Sequence, residues 1–75
     1  MNLFEVKLHT NCVIKEVNIA EEKTKIRLME LGMIEGVQVQ VIKKSILKKT
    51  LLVVFNSTCF TLKDNLARNI LVNYA

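Results

Sequence analysis

The chain has 75 residues, 51% hydrophobic and 24% charged, which suits one compact domain and leaves too little for a second core. That apolar fraction, rich in Val, Ile and Leu, excludes a disordered chain. The formal charge of +4 is uneven: residues 1–42 carry five Lys/Arg against six Glu (−1), and residues 43–75 carry six against Asp64 alone (+5).

In chain order, the β-branched residues of 13–19 predict a first strand. Asn18 followed by Glu21 has capping-box spacing and predicts a helix from about Ala20. Gly32 then ends the helix with a left-handed residue, and Gly36 supplies the positive φ of a type II turn. Val37-Gln38-Val39-Gln40-Val41 alternates apolar and polar residues, the mark of a half-buried strand. A lysine-rich loop at 43–49 leads to Leu51–Phe55, whose continuous apolar character predicts burial on both faces. Asn56-Ser57 reads as a tight hairpin turn into a strand over 58–62. One helical turn fits within 63–69, and 70–72 closes the chain as a strand. Short strands at close spacing with one helix between the first two predict a small antiparallel barrel of about five strands.

No apolar run approaches the ~20 residues that cross a bilayer. The start lacks the basic and apolar blocks of a secretory signal, so a cytoplasmic location is expected. Cys12 and Cys59 stand 47 positions apart, consistent with reduced thiols.

Chemistry-bearing groups are sparse. One histidine, one aspartate and two glycines provide no catalytic triad, no paired-carboxylate site and no phosphate-cradling loop, so an enzyme is not expected. His9 and Cys12 have H-x-x-C spacing, yet a closed metal site needs about four ligands; no metal or cofactor is assigned. Lys43, Lys44, Lys48 and Lys49 keep a nucleic-acid-binding barrel as the alternative, but four aromatic residues in core-like settings make a poor stacking platform and no nucleic-acid partner is expected.

Projection of the helix at about 100° per residue puts Leu28 and Leu31 on one side and Ile26, Met29 and Met33 on the other. One stripe faces the barrel. The second is covered by the Leu3-Phe4 segment, by the Ile46-Leu47 tip of the lysine loop, or by another protein. Arg27 and Glu30, at i, i+3 spacing between the stripes, are positioned to pair.

The string Arg27-Leu28-Met29-Glu30-Leu31-Gly32-Met33-Ile34-Glu35-Gly36 resembles the R-L-x-E-L-G-[LM]-x-P-G signature of FeoA-type domains. Phe60-Thr61-Leu62, Ala67 and Ile70-Leu71-Val72 are similar to the family's closing segment, so the resemblance covers about residues 3–73. It implies an SH3-like barrel acting as a cytoplasmic accessory of the FeoB ferrous-iron transporter by protein–protein contact. Ile26, Arg27, Met29, Glu30 and Met33 are then the expected partner-binding residues, and Leu28, Leu31, Gly32, Gly36 and Ala67 the structural ones. Self-association through the same stripe fits equally well. Similar SH3-like domains also end iron-dependent repressors, which makes an isolated regulator domain a further alternative. Glu35 stands where the family has proline, Asn11 where a glycine opens the first strand, and Lys48-Lys49-Thr50 where a glycine-proline precedes the central strand.

Overall fold

The computed structural model describes residues 1–75. A 3₁₀ turn over Leu3–Glu5 is followed by β1 (Cys12–Val17), α1 (Glu22–Leu31), β2 (Gln38–Ser45), β3 (Thr50–Phe55), β4 (Thr58–Lys63), α2 (Asp64–Ala67) and β5 (Ile70–Tyr74). All strand pairs are antiparallel in the order β4-β3-β2-β1-β5. This is the mainly β architecture expected, with its helix between the first two strands.

The sheet coils because two strands carry an extra residue. The register shifts between Ile14 and Glu16 in β1 and between Val41 and Lys43 in β2, and such bulges bend a strand and increase its twist. β2 thereby pairs with β1 near its start and with β3 beyond it. The inward side chains form one cluster of 16 buried residues, among them Ile14, Val39, Val41, Leu51, Val53, Ile70 and Val72. β3 alternates buried and half-buried positions, which corrects the expectation of burial on both faces. Leu52 and Val54 instead share the outer surface with Lys43, Thr61 and Cys59, to which the ladder pairs them.

The ladder ends at β4 and β5, and Asn2 adds a single bridge to Leu71 of β5. The N-terminal turn that places this bridge is closed by a capping box. The Asn2 side-chain oxygen accepts from the amides of Phe4 and Glu5 at 3.0 and 3.2 Å, and the Glu5 carboxylate accepts from the Asn2 amide at 2.9 Å.

The second Asn-x-x-Glu string behaves differently. The expected box at Asn18 and Glu21 does not form, because the Asn18 amide donates to the Asn69 carbonyl at 2.8 Å and buried Ile19 anchors the chain before it can turn. α1 therefore starts at Glu22 with Glu21 as N-cap. The Glu21 carboxylate accepts from the Thr24 hydroxyl instead.

The turns follow the sequence closely. Gly36 has φ +91 and the Val37 amide donates to the Ile34 carbonyl at 3.2 Å, as a type II turn requires. Asn56 and Ser57 have φ 56 and 61, both left-handed, which is the I′ geometry matched to a twisted hairpin.

The candidate docking face on the helix

α1 ends in a Schellman arrangement at Gly32. The residue has φ +98, its amide donates to the Met29 carbonyl, and the Met33 amide donates to the Leu28 carbonyl, each at 3.0 Å. This pairing typically brings the two residues around the left-handed position into apolar contact. Leu28 and Met33 accordingly both belong to the buried cluster.

This ending corrects the expected helix faces. The 100° projection assumes a helix continuing through residue 33, but the left-handed step at Gly32 turns Met33 inward, where it is 0% exposed. Met33 is therefore removed from the partner-facing set. Leu31, expected as a structural residue beside Leu28, is 52% exposed. Leu28 is the buried residue of α1. Gly32, Gly36 and buried Ala67 occupy structural positions.

The exposed apolar residues on and after the helix are thus Ile26, Met29, Leu31 and Ile34, at 46–53% exposure. Neither proposed internal cover reaches them. Leu3 is committed to the core, Phe4 packs against it, and Ile46 and Leu47 stand in solvent. Leu31 and Ile34 were missed as surface residues, although Gly32 between them was the available signal that the periodicity breaks.

Two grooves flank the helix. The wider one, ≈ 620 Å³, runs between α1 and the β4–α2 segment, with Arg27, Leu31, Phe60 and Leu66 among its lining. The narrower one, ≈ 280 Å³, lies between α1 and β1, with Val17, Met29, Ile34, Lys25 and Glu16 in its wall. Arg27 and Glu30 are both exposed. Arg27 lines the wider groove, while Glu30 stands in neither wall.

Elsewhere the chemistry is dispersed. Cys12 is buried, its thiol donates to the Thr10 carbonyl at 3.5 Å, and burial raises its pKa above the ordinary 9.0. Cys59 is exposed on the end strand β4. No three His, Cys, Asp or Glu side chains stand close enough to hold a metal ion. No helix is long and apolar enough to cross a membrane.

The family model of the FeoA domain matches residues 1–74. No curated protein matches the chain. Among solved structures, FeoA from Chlorobium tepidum is 30% identical with a TM-score of 0.89 over 99% of this chain and 70% of that one. The zinc complex of FeoA from Stenotrophomonas maltophilia is 33% identical with a TM-score of 0.82 over 97% of this chain and 89% of that one. That protein is described as a prokaryotic SH3 domain protein and a candidate activating factor of bacterial ferrous iron transport. ScaR with bound zinc shares the fold, with a TM-score of 0.84 at 15% identity over 100% of this chain and 37% of that one. With a match over nearly every residue and an SH3-like barrel in common with its relatives, this chain belongs to the FeoA family.

Proposed function

We propose that this protein is an accessory of the FeoB ferrous-iron transporter, acting by protein–protein contact through the exposed face of α1 to support or regulate Fe(II) uptake. The observation that carries this reading is the apolar pair Ile26 and Met29, 47% and 53% exposed on the helix within a FeoA-family chain. Covering the exposed half of each side chain contributes about 1 kcal/mol. Arg27 and Glu30 beside them offer opposite charges, which favour one orientation of a partner over others. The description of the Stenotrophomonas maltophilia relative as a candidate activating factor of ferrous iron transport supports the same role.

Titration of the protein against the cytoplasmic GTP-binding part of FeoB, with and without guanine nucleotide, tests this function. Saturable binding supports it. Association of the protein only with itself at the same concentrations would assign the face to a homo-oligomer instead.

A further inference from the structure

We propose that the hairpin joining β2 and β3 docks on an anionic lipid bilayer, with Ile46 and Leu47 entering the headgroup region and Lys43, Lys48, Lys49 and Lys63 meeting lipid phosphates. Ile46 is 86% and Leu47 97% exposed, far beyond the helix face. The fold does not need them there. The shape of the turn is set by backbone and the Ser45 side chain: the Lys49 amide donates to the Ile46 carbonyl at 3.3 Å, the Lys48 amide to the Ser45 hydroxyl at 3.3 Å, and Lys49 takes φ 54. Two aliphatic side chains at the tip of a protruding turn reach only a short way into a bilayer, which matches the shallow interfacial zone of about 5–10 Å.

Charge complementarity selects the bilayer's sign. Lys43 and Lys48 line one shallow cleft on the outer face of the hairpin, and the Thr50 to Lys63 pairing brings Lys63 beside the turn. Lys44 is excluded, because its ammonium donates to the Val6 carbonyl at 2.7 Å. The carboxylate that neighbours this group is Asp64, whose amide donates to the Lys49 carbonyl at 2.8 Å. Four ammonium groups against one carboxylate give an excess of positive charge around an apolar tip. Each juxtamembrane lysine strengthens attachment to an anionic leaflet by about fivefold. A nucleic acid is the poorer fit, since aliphatic Ile46 and Leu47 provide no stacking face for bases.

The test uses the full chain and vesicles without any protein partner, so its result is independent of FeoB binding. Co-sedimentation at physiological salt compares vesicles of phosphatidylcholine alone with vesicles that also contain phosphatidylglycerol, with a single-stranded oligonucleotide in parallel. Binding to the anionic vesicles is expected to exceed that to the zwitterionic ones by on the order of several hundredfold, about fivefold for each of the four lysines. Neutralising Lys43→Gln and Lys48→Gln should weaken it about fivefold each, and Ile46→Ser with Leu47→Ser by about tenfold or more. All four positions lie outside the buried cluster, so melting temperatures serve as the control for folding. Absence of binding to anionic vesicles, equal binding to both, or full retention by the Ile46/Leu47 variant overturns the proposal. Tighter binding of the oligonucleotide, lost with the lysines and kept without the aliphatic tip, assigns the hairpin to nucleic acid instead.

Discussion

Gly32 faces Phe55: a Cβ built on Gly32 would stand 3.4 Å from Cε2 of the Phe55 ring. This approach sets the end of α1 beside the end of β3, and Phe55 itself meets Phe60 edge to face with centroids 5.1 Å apart. The helix is held at its C-terminal end by the backbone step at Gly32 and by buried Leu28 and Met33 rather than by a long buried stripe.

Replacement of Gly32 by alanine separates crowding from backbone strain. The added methyl meets Phe55 at ordinary van der Waals distance, so crowding contributes little. The φ of +98 is the main cost, since a left-handed conformation in a residue with a Cβ is unfavourable by about 1–2 kcal/mol. Gly32→Ala should lower stability by that amount in denaturant melts, and an unchanged midpoint would remove Gly32 as the determinant of the helix end.

Met33 and Met29, four residues apart, should respond in opposite ways. Met33 is fully buried, and Met33→Ala leaves a cavity worth about 2–5 kcal/mol. Met29 is 53% exposed, and Met29→Ser should stay within about 0.5 kcal/mol of the parent. Equal losses in the two variants would mean that the helix face is part of the core.

The hairpin at Asn56-Ser57 leaves room for improvement. Ser57 adopts φ 61, where glycine avoids the Cβ clash and Asn-Gly is the favoured I′ pair. Ser57→Gly should raise stability by about 0.5–1 kcal/mol after the extra freedom of the unfolded chain is counted. Thermal melts read this directly, and destabilisation would contradict the I′ assignment.

Cys12 gives the protein a pH dependence of known sign. Burial raises its thiol pKa above 9.0, so above that pH the unfolded state binds fewer protons than the folded one and stability falls. The contribution is fully present below about pH 9.0 and is lost as pH rises through the folded value. Wild-type melts should decline more steeply at alkaline pH than those of Cys12→Ala. Matching slopes would place the Cys12 thiolate in solvent.

Most strands and both glycine turns were legible in the sequence because each rests on a local rule: alternation at 37–41, a left-handed residue at Gly32, two turn formers at Asn56-Ser57. The helix surface was less legible for a physical reason. Projection treats residues 26–33 as one continuous helix, and a single left-handed step redirects Met33 into the core and leaves Leu31 in solvent. The two Asn-x-x-Glu strings make the same point. They are locally equivalent, yet only Asn2 and Glu5 form the box, because tertiary contacts at Asn18 and Ile19 set where α1 can begin. The lysine cluster divided likewise, with Lys44 drawn inward to the Val6 carbonyl and over the Phe4 ring at 5.6 Å.

The docking role of α1 is tested most directly by titrating the wild-type protein and the Ile26→Ser/Met29→Ser variant against the cytoplasmic part of FeoB, with the melting temperature of each measured alongside. Loss of one well-buried apolar anchor typically costs more than 1 kcal/mol of binding, so the variant should bind about tenfold more weakly at an unchanged melting temperature. Undiminished binding by a folded variant, or unfolding comparable to a core deletion, would contradict the assignment of this face.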